Sequence, residues 1–178
     1  HVAQRISISP ADNYRYGYYL WLEQQTGLLL KWVLVDTAKK PLASLMFTDF
    51  TYGPDIDLEE IEPSTEFAES SQMKTLSPEK AVVVRTTPRW QPASLPPGFR
   101  LASHNVKTGS GDLYEHLVYS DGLAAVSVYV ERKKSAVTPK PRVSRLGTNH
   151  AYVRRQGEFQ ITVIGEVPVV TVKSIANE

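Results

Sequence analysis

Two alternating stretches broken by turn residues commit this chain to antiparallel sheet. They are His116-Leu117-Val118-Tyr119-Ser120-Asp121-Gly122-Leu123-Ala124-Ala125-Val126-Ser127-Val128-Tyr129-Val130-Glu131 and Arg154-Arg155-Gln156-Gly157-Glu158-Phe159-Gln160-Ile161-Thr162-Val163. Asp-Gly supplies the positive φ angles of a tight hairpin turn, and the flanking Val, Tyr and Ser residues suit strands. Gln156-Gly157-Glu158 marks a second hairpin of the same kind.

The same period of two runs through the first fifty residues. Tyr14 to Leu22 alternate so that Tyr14, Tyr16, Tyr18, Leu20 and Leu22 share one face of a strand. After a turn at Gln24-Gln25-Thr26-Gly27, a second strand puts Leu28, Leu30, Trp32 and Leu34 on one side, and a third strand over 42–50 completes a meander. Three strands with a rich apolar face form an incomplete layer, since a sheet must bury that face against another layer. The chain opens at His1 inside a strand-like pattern, with neither Met nor the pattern of a signal peptide, so it reads as a fragment or processed product whose missing layer precedes His1.

Residues 53–88 are rich in Pro and acidic residues and read as an exposed linker, with a short helical turn near 57–61. A strand over 99–106 follows, and Lys107 to Gly111 turn the chain into the opening hairpin. The stretch 133–147, basic and interrupted by Pro139 and Pro141, reads as a mobile loop. Pro168 suits the first turn of a terminal helix with Val169, Val172, Ile175 and Ala176 on one face, although the β-branched run 169–172 also suits a strand. The second half is expected to hold five strands and this helix.

Charge divides the chain as well. Residues 1–88 carry 8 basic and 12 acidic side chains, residues 89–178 carry 12 and 7. Eight acidic residues fall between Asp49 and Glu69 with no basic one, and eight basic residues fall between Arg132 and Arg155 with no acidic one. The plain reading of each run is a solvated loop; the sharper reading of the basic run is a surface for anions or an acidic partner.

Enzyme chemistry finds little footing, and the chain is read as a non-enzyme. With no Cys there is no thiolate nucleophile, disulfide or Cys-ligated metal, and the four His residues lack metal-ligand spacing. His116, Ser120 and Asp121 are hydrolase residue types, yet the turn already accounts for Asp121. The acidic residues 55–60 lack the glycine and bidentate Glu of a calcium loop, and Gly109-Ser110-Gly111 lacks the Lys and helix of a phosphate loop. No cofactor or metal is expected. Nucleic acid is not expected either, because the aromatic residues and the basic run are separated. No apolar run approaches the ~18 residues of a membrane span.

Two candidate surfaces remain. Tyr16, Tyr18, Leu20, Trp32 and Leu34 could wall an apolar cavity for acyl chains, against the plainer reading of ordinary core. Arg132, Lys133, Lys134, Arg142, Arg145, Arg154 and Arg155 could bind phosphates or an acidic protein segment.

Several stretches resemble the MucB/RseB family of periplasmic sigma-factor regulators. They are Tyr14-Arg15-Tyr16-Gly17-Tyr18 with Leu20-Trp21-Leu22, Thr26-Gly27-Leu28-Leu29, Trp90-Gln91-Pro92, Pro97-Gly98-Phe99, His116 to Leu123 and Gly165-Glu166-Val167-Pro168. The resemblance implies an α+β architecture: a lipoprotein-carrier-like unclosed β-barrel domain, followed by a smaller antiparallel-sheet domain with a terminal helix. Residues 1–62 would be closing strands of the first, 63–88 a linker and 89–178 the second. It implies a periplasmic protein that binds the periplasmic segment of a transmembrane anti-sigma factor of the RseA or MucA type, shields it from site-1 proteolysis, and is released by lipid or lipopolysaccharide. A homodimer is among the partners it allows. The alternative is a periplasmic lipid or lipoprotein carrier without a regulatory partner.

Overall fold

The computed structural model describes residues 2–50, 87–109, 112–133 and 140–177, leaving aside the side chains of 107–109 and 112–113. The acidic linker, its helical turn and Lys134 lie outside the described residues. The chain divides into two compact units: His1–Met46 with Val82–Glu178, and Phe47–Ala81. Both sheets belong to the first.

The first sheet is a meander of β1 (Ala3–Ile8), β2 (Gly17–Glu23), β3 (Leu29–Val35) and β4 (Pro41–Met46), paired in sequence order. Its register places Ile6, Leu20, Trp32 and Leu45 in one row across the sheet, and Ile8, Tyr18, Leu34 and Ala43 in the next row on the same face. The β2–β3 turn closes on Glu23, whose carboxylate accepts the amides of Thr26 and Gln25 and the Thr26 hydroxyl at 2.7–2.9 Å. These hydrogen bonds, that of the Thr26 amide first, hold the Glu23 pKa below its ordinary value.

The second sheet comprises β5 (Arg100–Gly109), β6 (Asp112–Ser120), β7 (Ala125–Arg132), β8 (Arg142–Leu146), β9 (Asn149–Gln156) and β10 (Phe159–Gly165), in the order β5-β6-β7-β10-β9-β8. Period-two alternation gives it two faces. On one face Leu117, Val128 and Val163 form a fully buried row, next to Tyr119 and Val126 on one side and Val130 and Ile161 on the other. Helix α1 (Val169–Ala176) packs here against β9 and β10, burying Thr171, Val172, Ile175 and Ala176. Trp90 and Phe99 complete this core. Each fully buried aliphatic side chain contributes roughly 1.5–3 kcal/mol of hydrophobic stabilisation, so this layer carries much of the fold.

Several sequence expectations are revised. The strand expected from Tyr14 starts at Gly17, because the Asp12 carboxylate captures the Tyr14 amide at 3.0 Å and Arg15 is drawn into ion pairs. A further strand, β1, joins the meander, whose last strand ends at Met46. The loop expected over 133–147 contains β8, so the second sheet has six strands. Pro139 and Pro141 precede β8 rather than interrupt it, leaving Arg142–Leu146 free to pair with β9. Of the turn expected at 107–111, residues 107–109 belong to β5, and 110–111 lie outside the described residues. The terminal segment is helical, with Pro168 at the N-cap position, where its missing amide costs nothing.

Gly165 sits where the sheet permits no side chain. A Cβ there would lie 2.7 Å from the Ala125 carbonyl oxygen and 3.0 Å from Val126 Cγ2. Gly165→Ala should destabilise by about 1–3 kcal/mol through overpacking, and Leu117→Ala by about 2–5 kcal/mol through cavity formation. Urea unfolding followed by circular dichroism would measure both.

Candidate partner-binding cleft

The face of the second sheet that turns away from α1 forms the floor of a cavity of about 440 Å³. Ala125, Ser127 and Ile164 project from that floor, while Leu123, Ala124, Asn149, Gly165 and Glu166 form its rim. Tyr18 reaches it from β2 of the first sheet. The lining therefore combines aliphatic side chains with the Tyr18 phenol, the Ser127 hydroxyl, the Asn149 amide and the Glu166 carboxylate. Glu166 accepts a hydrogen bond from the Thr148 hydroxyl. Burial, followed by the negative charges of Glu166 and Asp121, raises the Tyr18 pKa, so the phenol keeps its proton at neutral pH.

Three consecutive residues ahead of β2 connect the sheets. The Tyr14 carbonyl accepts the Thr171 hydroxyl of α1 at 2.6 Å. Arg15 pairs with Asp12 and with Asp121, donates to the Pro97 carbonyl, and lies 5.1 Å from the centre of the Phe99 ring. Tyr16 is buried with its Oη 3.3 Å from His150 Nδ1. That nitrogen also lies 2.8 Å from the Val167 carbonyl; since a carbonyl only accepts, Nδ1 carries the proton.

Asp121 serves two purposes. Its Oδ1 accepts the amides of Leu123 and Ala124 at 2.9 and 2.7 Å, shaping the hairpin turn, and its Oδ2 accepts Arg15. Gly122, at φ 96°, supplies the left-handed step anticipated from Asp-Gly. Burial pushes the Asp121 pKa up, but the Arg15 bond and the two turn amides outweigh it and hold the carboxyl below its ordinary value. The Ser120 hydroxyl donates to the Ala124 carbonyl at 2.8 Å, completing a structural turn.

Of the five proposed acyl-wall residues, Tyr18, Leu20, Trp32 and Leu34 share one face of the first sheet, with the Tyr18 and Trp32 rings edge to face at 6.5 Å. Tyr16 instead contacts the second sheet through His150.

The cationic candidates do not form one patch. Arg132 pairs with Glu158 at 2.7 Å, and Lys133 with Glu131 at 3.5 Å. Arg154 donates to the Ala176 carbonyl, neutralising the C-terminal end of α1, and its Nη2 donates to the Gln156 side chain at 3.0 Å. Arg155 points to the opposite face and donates to the Lys133 carbonyl at 2.9 Å. Arg142 and Arg145 lie exposed on β8.

Sequence reasoning missed Arg15, Ile164 and Glu166. A lone cation inside the aromatic run 14–18 was the available signal for Arg15, and the motif Gly165-Glu166-Val167-Pro168 for Glu166; nothing local marks Ile164. Among the described residues no group of three or more His, Asp or Glu side chains could hold a metal, and no helix is long and apolar enough to cross a membrane.

The contribution of the Arg15 ion pairs should lie between the ~1 kcal/mol of an exposed pair and the ~3–5 kcal/mol of breaking a buried one. Arg15→Met should lower stability within that range in urea titrations. Because the folded Asp121 pKa is depressed, its stabilisation is present above the ordinary value of 3.8 and is lost as pH falls through the folded value. Asp121→Asn should flatten that acid-side loss in unfolding curves collected from about pH 5 down to about pH 2.

Residues 1–65 match the MucB/RseB N-terminal domain and residues 84–178 the MucB/RseB C-terminal domain. The sigma factor AlgU regulatory protein MucB of Pseudomonas aeruginosa is 30% identical over 177 residues, covering 96% of this chain and 54% of that protein. The chain thus spans about half the length of this relative. A crystal structure of MucB in complex with MucA(peri) superposes with a TM-score of 0.81 at 28% identity, over 98% of this chain and 60% of that one. A crystal structure of MucB gives a TM-score of 0.60 at 26% identity, over 98% and 56%. The antiparallel sheets, the one short helix among the described residues and the matches along both halves make one assignment: the chain belongs to the MucB/RseB family.

Proposed function

We propose that this chain works in the periplasm as a negative regulator of a sigma-factor pathway, binding the periplasmic segment of a transmembrane anti-sigma factor of the MucA or RseA type. The cleft between Tyr18 and the floor of Ser127 and Ile164 is the docking site. One observation carries the reading: the chain resembles MucB in the MucA(peri) complex at a TM-score of 0.81, against 0.60 for MucB without a named partner. The size and mixed lining of the cleft suit the anchoring side chains of a peptide segment.

Occupancy of the cleft would shield the anti-sigma segment from site-1 proteolysis. The first sheet would form part of an unclosed, lipoprotein-carrier-like barrel, with Tyr18, Leu20, Trp32 and Leu34 facing acyl chains of a lipid or lipopolysaccharide. Tyr18 would belong to both surfaces, so lipid and anti-sigma segment favour different arrangements and each weakens the binding of the other. The shared apolar face also favours a second reading, a lipid or lipoprotein carrier without a regulatory partner.

Ile164→Asp places an uncompensated charge on the exposed cleft floor and should weaken capture of a MucA periplasmic segment by at least about tenfold. A quantitative pull-down with and without lipopolysaccharide measures this. Tyr18→Ala with Trp32→Ala should abolish lipid-triggered release. Unchanged capture by folded Ile164→Asp protein would overturn the cleft assignment, and lipid binding without any capture would favour the carrier.

A further inference from the structure

Among the described residues the second sheet ends in an open edge: there β8 pairs only with β9, and all five of its residues are exposed, Val143 at 42% and Leu146 at 84%. The β8–β9 connection is a two-residue hairpin through Gly147 and Thr148, with Gly147 at φ 61° in its first central position. Leu146 and Asn149 close that hairpin as a hydrogen-bonded pair, and such pairs alternate along an antiparallel ladder. Ser144 and Arg142 therefore turn their backbone groups toward β9. Val143 and Arg145 turn theirs outward, to the edge.

Charge narrows what this edge accepts. Lys140, Arg142 and Arg145 are exposed along it, and among the described residues neither Arg142 nor Arg145 forms an ion pair. Arg145 Nε donates instead to the Gly147 carbonyl at 2.9 Å. Edge-to-edge pairing of two copies would gather these cations from both chains in one narrow strip, so the charges oppose self-association. They favour an acidic strand.

We propose that β8 is an acceptor for strand addition by an extended acidic segment of a partner protein. The geometry also fixes a preferred pattern. Arg142 and Arg145 are three residues apart and project from opposite faces of the sheet, so an added antiparallel strand meets both with carboxylates three residues apart. Ser144 shares a cross-strand row with Ala151, Ile164 and Ser127, so the added strand would extend the cleft floor. The proposal goes beyond the anti-sigma reading and does not depend on which protein supplies the strand.

The probe is the peptide acetyl-Val-Glu-Thr-Val-Glu-Thr-amide, titrated into the chain by amide NMR at low salt. Pairing its first Glu with Arg145 and its second with Arg142 puts its second Val opposite Val143. The Val143 and Arg145 amides should shift and gain protection from exchange. N-methylating the first Glu and the second Val removes the two donors that face β8 and should weaken binding by about tenfold or more, whereas N-methylating the first Thr and the second Glu should not. Replacing both Glu residues by Gln should weaken binding and flatten its salt dependence. Val143→Pro, which removes an outward donor without breaking the β9 ladder, should lose binding that Val143→Thr keeps. Equal effects of the two N-methylation patterns, no shift at the outward amides, or full binding by folded Val143→Pro protein would overturn the proposal. So would a concentration-dependent dimer dispersed by Val143→Pro, which would assign the edge to a second copy.

Discussion

Arg15 is the interaction on which the arrangement of the molecule turns. One guanidinium satisfies two carboxylates and a carbonyl while covering an aromatic ring, and its partners come from three separate stretches: Asp12, the loop of Pro97 and Phe99, and the hairpin turn at Asp121. A charge held this way keeps its donors matched as it leaves water, which is the condition for a partly buried ion pair to stabilise rather than cost. Asp121 in turn organises Leu123 and Ala124, which lie on the cleft rim, while three residues beyond Arg15 the chain places Tyr18 there too. Both lips of the cleft therefore depend on one side chain.

The alternation of its strands gives the six-stranded sheet a buried layer on one face and, on the other, the floor of the proposed docking cleft. In the central strands β6, β7 and β10 the residues facing α1 are mostly buried and apolar, and they supply the rigid layer. Residues on the reverse face are shorter or more polar. Ser127, Thr162 and Ala151 lie there beside His116 and Tyr129, whose rings stack at 4.4 Å. A surface built on a rigid sheet offers fixed positions to a partner without ordering a loop first, which reduces the entropy lost on binding.

Much of this fold was legible in the sequence, and the reason is local. Period-two alternation, Asp121-Gly122 and Gly157 fix the β6–β7 and β9–β10 hairpins without reference to the rest of the chain. Leu30, Trp32 and Leu34 signalled β3 in the same way, although the strand starts at Leu29 rather than Leu28. β8 escaped because its flanking prolines and basic residues imitate a solvated loop; its strand character comes from pairing with β9. Tyr14 and Arg15 were misread for the converse reason, since an alternating pattern was overridden by distant partners. Tyr16, placed on an acyl wall from its spacing, meets His150 from the other sheet.

By itself the sequence determined the antiparallel class, the main turns and the family, because each is written in neighbouring residues or in the order of short motifs, whereas the helix at the C-terminal end was decided by the structure. Only the tertiary structure decided which side chains share a site. Arg15 meets an aspartate 106 residues away, and Tyr14 a threonine 157 residues away. No local period encodes such encounters, for they follow from how whole sheets pack. The cleft, its two lips and the open edge of β8 are products of that packing.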